Sequence, residues 1–559
     1  MTGNIADFFG QHLAQPGRVL YRQFAGDAWR DVAAGELARD IARWQAAFRR
    51  EGLAPGDRVA LCVRNGVNWV AIDLAALGME LVVVPLYVDD TFGNVAWCVA
   101  DADPRLLVVE TARLAAGLAR PGFLADPPPT VVLRGDAGEL AGAGMTPLER
   151  FLPAAGGKIE IRAVSAGTLA TICYTSGTAG RPKGVMLSHG NIVANVTSCR
   201  ETGMARPDDR FLSLLPLSHM FERTGGYYLP LALGAQVVFA RGIAHVADDL
   251  ATQAPTIVFA VPRIFERLKA RIDKALAASP AKRALFRACV TRGWRVACGE
   301  ASLLDRALVP ALRAVVAKPI LGRLGGRLRL AVVGGAALDP VLARTFIGLG
   351  LPVVQGYGTT EASPVISVNA EADNDPESVG PPLPGVEVRI AEGDELLVRG
   401  ANVMAGYWRN PEATRAAIDG DGWLHTGDLA SLRGGRIYIR GRMKDILVLS
   451  SGEKLSPHDV ELAILRDPVF EQVMLVGEGR AFLVLLAVTR ETDEAALARR
   501  ANDQLTSHPR WIRVRRVIAT PEPWSVESGL ATPTLKLKRP RVLDLFKDRI
   551  DAVYDGGFS

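Results

Sequence analysis

Short apolar runs alternate with helical patterns along the first 330 residues, and that alternation restricts the chain to α/β layers with largely parallel sheets. "DRVALCV", "RLLVVE", "TVVLRG" and "TIVFAVP" read as short strands. Within "GELARDIARWQAAFRREG", Leu37, Ile41, Trp44 and Phe48 recur at spacings of four, three and four, which gathers them on one helix face. After about residue 385 the pattern changes, and "GVEVRIAEGDELLVRG" and "GGRIYIRGR" read as antiparallel strands joined by Gly-containing turns. The last hundred or so residues carry their own strands, "DILVLSSGEKL" and "FLVLLAV". They also carry a helix start at Ser456, with Pro457 and Asp459 in its first turn. The expected fold class is α/β: a large N-terminal α/β domain with layered sheets over 1–440 and a small C-terminal α+β domain over 441–559. The boundary falls at the turn "RGRMKD".

Composition narrows the function classes. With 49% hydrophobic and 22% charged residues in 559, the chain has the makeup of a folded globular protein and not of a disordered one. The N-terminus lacks the basic and apolar regions of a secretory signal, so a cytoplasmic location is expected. The most apolar long stretch, 69–87, holds Asp73 and Glu80 in its interior, which argues for a buried helix followed by a buried strand and against a membrane span. Six cysteines, Cys62, Cys98, Cys173, Cys199, Cys289 and Cys298, show no metal-type spacing and read as reduced core thiols. Net charge is +5, yet residues 263–329 carry 16 Lys or Arg against four Asp or Glu, leaving −7 for the rest. Inside that segment, 279–299 mixes Arg with Leu285, Phe286, Val290 and Trp294 at near-helical spacing. Two readings stay open for it: a peripheral membrane contact, or a solvated cationic face over a buried apolar stripe, which is the simpler. No nucleic-acid partner is expected, and oligomeric state is not legible.

"YTSGTAGRPKGVMLSH", 174–189, packs glycines, hydroxyls and Lys183 between the strand-like "LATICY" and a candidate helix from Ser188. Glycines let a backbone approach closely, and amides, hydroxyls and a mobile ammonium suit phosphoryl oxygens. Its spacing is not that of a Walker loop, because Pro182 precedes Lys183 and Gly184 follows it. On its own the stretch could also be a polar connector, the weaker of the two readings.

This stretch resembles the phosphate-binding signature of the adenylate-forming superfamily of acyl-CoA synthetases, luciferases and peptide-synthetase adenylation domains. The resemblance continues in order through "LPLSHMFER" (215–223), "VVGGAAL" (332–338), "QGYGTTEASP" (355–364), "GWLHTGDLA" (422–430), "GRMKDILVLSSGEKLSP" (441–457) and "LATPTLKLKR" (530–539). "LPLSHMFER" and "TPTLKLKR" look most like long-chain fatty acid-CoA ligases.

The resemblance implies ATP-dependent conversion of a fatty acid to acyl-AMP, followed by thioester formation with coenzyme A. The alternative is an acyl-AMP ligase that passes the acyl group to a carrier protein. It implies ATP, Mg2+ and coenzyme A as co-substrates and cofactor. Thr175, Ser176, Gly177, Thr178 and Lys183 would hold the β- and γ-phosphates. Gly335 and Ala336 would line the adenine, Tyr357 would stack on it within Tyr357, Gly358, Thr359 and Thr360, and Thr360 would meet the α-phosphate. Glu361 and Thr178 would hold Mg2+, Asp428 would take the ribose hydroxyls, and Arg442 would reach the same nucleotide. His219 is implied at the acyl carboxylate end. Lys536 is implied as the catalytic lysine bridging carboxylate and α-phosphate, although Thr534 and Leu535 stand where many relatives have Ser-Gly. Lys444 is implied as the hinge of a mobile C-terminal domain.

Overall fold

The computed structural model describes residues 3–124, 126–135, 145–175, 181–526, 528–532 and 537–555. The chain divides into two compact units: Met1–Thr175, Arg181–Val388 and Val398–Leu424 in one, and Arg389–Leu397 with His425–Ser559 in the other.

The first unit contains two eight-stranded sheets. In one, Leu169–Thr175, Val82–Pro85, Arg58–Cys62, Leu106–Thr111, Thr130–Arg134 and Met145–Pro147 run parallel in the spatial order 169–175, 82–85, 58–62, 106–111, 130–134, 145–147. Lys183–Ser188 and then Gly406–Tyr407 extend its edge antiparallel. In the other, Val353–Gly358, Leu330–Val333, Ile257–Ala260, Arg210–Ser213, Gln236–Phe239 and Val19–Ala25 are parallel neighbours in that order, with antiparallel edges at Val365–Val368 and Ala28–Ala33. Val82–Pro85 and Leu330–Val333 are buried at every residue, as strands covered on both faces must be. The parallel layers expected from the alternating pattern are therefore present.

The 69–87 stretch folds as expected, into helix Val67–Gly78 and strand Val82–Pro85. Every residue of that helix but Asn68 is buried, so its apolar content needs no membrane. Asp73 is neutralised from within: Arg223 pairs with it, and Tyr227 and Tyr228 donate to its other oxygen at 3.1 and 2.9 Å. Leu37, Ile41, Trp44 and Phe48 all lie buried on helix Ala34–Arg50. Helix His189–Glu201 starts at Ser188, whose hydroxyl accepts from the Asn191 amide while the Asn191 side chain returns the bond to Ser188.

Two expectations need correction. Cys62, Cys98, Cys173 and Cys289 are core thiols, but Cys199 is only partly buried and Cys298 is exposed, being at the C-cap of helix Pro280–Ala297. On that helix Phe286 is buried and Val290 and Trp294 pack against the same core, but Leu285 does not join them. Phe286, Cys289 and Gly293 face inward and Leu285 faces solvent, because the helix crosses Pro340–Leu349 where a Cβ on Gly293 would stand 1.9 Å from the Gly348 carbonyl oxygen. The solvated cationic face over a buried stripe is the reading that fits.

In the second unit, Leu424–Arg433 and Arg436–Arg442 pair antiparallel, with Asp428 opposite Arg442. Farther on, Gln472–Val476, Leu483–Val488 and Val514–Thr520 form a three-stranded mixed sheet. One face carries a core of Val460, Ile464, Leu485 and Leu497; the other carries Met474, Leu486, Trp524 and Phe546. The helix expected from Ser456 runs Pro457–Ile464 with Pro457 and Asp459 in its first turn, but the Ser456 hydroxyl makes no cap hydrogen bond. Among the described residues no helix is long and apolar enough to cross a membrane.

Candidate active site

In an open parallel sheet, the loops that leave the carboxyl ends of neighbouring strands share one rim, where ligands are held. Here Ala260 pairs with Val333, and Val333 with Gln355, so the segments after these strands emerge side by side. They are the segments the sequence marked: Gly335 and Ala336, both exposed, and the run from Tyr357 to Glu361. Gly335 sits at φ +79°, where a side chain would strain the backbone. A Cβ on Gly358 would stand 1.9 Å from the Pro364 carbonyl oxygen, so only glycine lets the chain double back there.

The "LPLSHMFER" segment leaves the adjacent strand Arg210–Ser213 and joins the same rim. Asn65 fixes its approach, donating to Ser213 Oγ at 3.0 Å and to the Leu215 carbonyl at 2.7 Å while accepting from the Leu217 amide at 2.9 Å. The ring of Phe221 then lies under Gly334, where a Cβ would come within 3.0 Å of it. His219 caps the turn Met220–Glu222, its Nδ1 accepting from the Phe221 amide at 3.2 Å. A neutral ring with Nδ1 accepting carries its proton on Nε2.

A second set of bonds ties the 355–364 segment to its surroundings. Thr224 donates to the Ser363 carbonyl at 3.1 Å, and Ser363 Oγ donates to the Asn402 carbonyl at 2.7 Å. Fully buried Asn195 closes both backbone positions of Val365, at 2.7 and 3.2 Å. Glu361, on this scaffold, accepts from Thr359 Oγ1 on one carboxylate oxygen and from Tyr407 Oη at 2.8 Å on the other. Burial and then the Glu361 carboxylate push the Tyr407 phenol far up, so it remains a donor. Lys183 Nζ stands 4.9 Å from the centre of the same tyrosine ring. The expected phosphate lysine and the expected metal carboxylate thus share one aromatic bridge.

Around Lys183 the local structure differs from a strand-loop-helix cradle. Thr175 pairs with Lys183 across an antiparallel hairpin, and the helix begins only after strand Lys183–Ser188. Ser176, Gly177, Thr178 and Lys536 lie outside the described residues. In the second unit, Asp428 is buried and Arg442 Nε meets its carboxylate at 3.0 Å from the paired strand. Glu395 braces the preceding turn, receiving the Gly427 amide at 2.9 Å and meeting His425 Nδ1 at 2.8 Å. Lys444 is exposed on the single turn Met443–Asp445.

Sequence reasoning missed Tyr407, Asn195, Thr224, Asn402, Asn65 and Glu395. None sits in a phosphate-type motif, although "AGYW" could have drawn attention to Tyr407. It also missed Glu222, fully buried beside His219. Burial raises its carboxyl to about 8, against weaker lowering by Ser213 and the backbone of Leu215 and Leu214. Neither oxygen has a hydrogen-bond partner of good geometry among the described residues, and a Cβ on Gly226 would stand 2.4 Å from one of them.

The AMP-binding enzyme family model matches residues 9–408. The chain belongs to the AMP-binding enzyme family. The model of the AMP-binding enzyme C-terminal domain matches 444–557. This AMP-binding enzyme is 30% identical to the long-chain-fatty-acid–CoA ligase FadD15 of Mycobacterium bovis, over 99% of this chain and 97% of that one. It is 29% identical, over 69% of this chain and 61% of the other, to a chloroplastic long-chain-fatty-acid–[acyl-carrier-protein] ligase, AEE15, of Arabidopsis thaliana. Its fold is that of the anthranilate CoA ligase AuaEII crystallised with anthranoyl-AMP, with a TM-score of 0.78 at 20% identity over 98% of each chain.

Mg2+ suits the donor set. Among the described residues no three His, Cys, Asp or Glu side chains cluster as metal ligands. Mg2+ asks for less, since it keeps several waters and binds through one or two carboxylates plus substrate phosphates. Glu361, a hard oxygen ligand held still by Thr359 and Tyr407, meets that demand.

Proposed function

We propose that this AMP-binding enzyme activates a long-chain fatty acid with ATP to give acyl-AMP and pyrophosphate, then transfers the acyl group to coenzyme A with release of AMP. The observation that carries the reading is the meeting of 215–223, 334–336 and 357–361 on one sheet rim, in a chain that aligns end to end with a long-chain fatty acid-CoA ligase.

A carboxylate cannot expel oxide, so its oxygen must first be joined to a better leaving group. Catalysis of that joining is positioning and charge neutralisation. In this reading Lys183, with Thr175, Ser176, Gly177 and Thr178, holds the β- and γ-phosphates. Gly335, Ala336 and Tyr357 take the adenine, Gly358 and Thr359 shape the turn, and Thr360 meets the α-phosphate. Glu361 with Thr178 holds Mg2+, which when bound offsets phosphate charge. Asp428 takes the ribose hydroxyls and Arg442 the same nucleotide. His219 orients the acyl carboxylate through Nε2. Lys536 bridges carboxylate oxygen and α-phosphate, offsetting the charge on the α-phosphate oxygens as the new bond to phosphorus forms. Domains of 1–440 and 441–559, with Lys444 as pivot, would separate the two half-reactions. Such acids are poorly soluble in water, and peripheral contact with a membrane belongs to the same reading.

The test is AMP and thioester formation from ATP, Mg2+ and coenzyme A across acids of graded chain length, with Lys536→Ala as control. Thioester yield peaking at long chains and lost in the variant is the expected result. The likeness to AEE15 favours one second reading, a carrier-protein acceptor, and acyl-AMP accumulating until a carrier protein is added would select it.

A further inference from the structure

The basic segment offers a surface that the active site does not use. Helix Leu303–Leu312 continues through the π-helical turn Arg313–Ala317, and its inner side is fixed by Asp305, Val309 and Ala317, all buried. Its outer side is apolar where solvent should select polar residues. Leu303 is 87% exposed, Leu304 58%, Leu308 39% and Val315 67%. Leu304, Leu308 and Val315, with exposed Ala311, follow one another at steps of four, three and four, so they form a continuous stripe. Scattered exposed leucines are ordinary; a stripe of them on one helix marks a binding surface.

The charge around the stripe says what would cover it. Arg306, half a turn round the helix from Leu304, and Lys318, beyond Val315, border the exposed side of the same helical run, both exposed. The neighbouring helix Pro280–Ala297, joined to it by the ion pair of Arg292 with Asp305, adds exposed Arg283 and Arg287. The segment 263–329 as a whole has twelve more cationic than anionic side chains. A second copy docking here through a two-fold contact would set that charge against itself. An anionic bilayer satisfies both features at once, with leucines entering the acyl boundary and cations among the headgroups.

We propose that the stripe Leu304, Leu308, Ala311 and Val315, with exposed Leu303 beside it and the Arg and Lys residues around it, is the surface by which the enzyme docks on anionic membranes. The assignment rests on the reading of peripheral contact above and gives it a location. It also shifts the apolar part of the lipid contact from 279–299 to the next helix, leaving Arg283 and Arg287 as neighbouring cations while Arg292 and Arg295 are drawn to Asp305.

The full chain is sedimented with sucrose-loaded vesicles of phosphatidylcholine alone and of phosphatidylcholine with 30% phosphatidylglycerol, roughly the anionic content that gives a surface potential felt by basic patches. The variants are Leu304→Ser with Leu308→Ser, and Arg306→Gln with Lys318→Gln, each checked for an unaltered unfolding midpoint. All four positions are exposed, so neither variant disturbs the core. The expected result is binding to the anionic vesicles only, weakened at least tenfold in each variant and weakened by salt in the wild type. Anionic vesicles bound equally by wild type and the leucine variant would overturn the location while leaving peripheral contact intact. No vesicle binding by the wild type would overturn both. A wild-type dimer that the leucine variant converts to monomer, without vesicle binding, would assign the stripe to a second copy instead.

Discussion

Arg223 and Asp73 form an ion pair with no solvent contact, between a helix that the sequence makes almost wholly apolar and a π-helical turn, Arg223–Tyr228. Arg223 also donates to Thr171 at 2.9 Å and lies 5.1 Å from the centre of the Trp69 ring, so three elements meet on one guanidinium. Arg223 stands one turn after His219, its amide donating to the His219 carbonyl at 3.0 Å.

Breaking this pair from one side leaves a charge stranded in the core. Asp73→Leu is expected to cost about 3–5 kcal/mol, as does removal of one partner from other buried pairs. The double variant Asp73→Leu with Arg223→Met should cost well under the sum of the single changes, since no charge is then left unpaired. Denaturant unfolding followed by tryptophan fluorescence, with Trp69 as a local reporter, measures both. Additive losses would show that the two residues do not act as a pair.

Tyr407 links the two groups proposed to meet the phosphates and Mg2+. Tyr407→Phe keeps the ring beneath Lys183 and removes only the bond to Glu361. Hydrogen bonds to charged groups are worth about 1.5–3 kcal/mol, and the lower end suits a partly exposed carboxylate. A roughly tenfold rise in the Mg2+ concentration giving half-maximal AMP formation is expected, with little change in the unfolding midpoint. Unchanged Mg2+ dependence would rule out this role for the phenol.

Glu222 gives the stability curve a recognisable slope. Its carboxyl is raised from 4.5 to about 8 by burial, so between those values the native chain holds a proton that the unfolded chain has released. Its contribution is therefore fully present below about pH 4.5 and is lost as pH rises toward 8, at no more than about 1.4 kcal/mol per pH unit. Glu222→Gln keeps the shape, stays neutral, and should flatten the curve between pH 5 and 8 relative to wild type. Denaturant midpoints across that range decide it, and parallel curves would place the slope elsewhere.

The layered parallel sheets were legible because a strand buried on both faces must be apolar throughout, and the helix face of Leu37, Ile41, Trp44 and Phe48 because its spacing is periodic. The segments proposed for the site stood out because glycine and hydroxyl runs, which would let a backbone approach phosphates, are rare in sequence. What holds those segments was not. Asn195, Thr224, Asn402 and Asn65 work through hydrogen bonds to groups far away in the chain, and nothing local distinguishes them from surface polar residues. The inner face of Pro280–Ala297 was legible only in part, for a related reason. Phe286, Val290 and Trp294 pack on the core side as their spacing suggests, but Gly293 and Cys289, which carry little hydrophobicity, also take the inside because close helix crossing selects small size.

That crossing yields a paired prediction on glycine. Gly293 and Gly348 lie back to back, a Cβ on Gly293 meeting the Gly348 carbonyl oxygen at 1.9 Å and one on Gly348 meeting the Val290 carbonyl oxygen at 2.3 Å. Both obstacles are backbone, which cannot rotate away, so Gly293→Ala must push the helices apart and is expected to cost about 1–3 kcal/mol, as overpacking does. Gly322, in helix Lys318–Gly322, meets nothing within 4 Å. There Gly322→Ala should be neutral or stabilising by up to about 1 kcal/mol, the difference in helix propensity. Opposite signs for the same chemical change, read from denaturant midpoints of the two variants, would show that contact across the helix crossing sets the cost at Gly293. Equal destabilisation of both would contradict the close approach of Pro280–Ala297 to Pro340–Leu349.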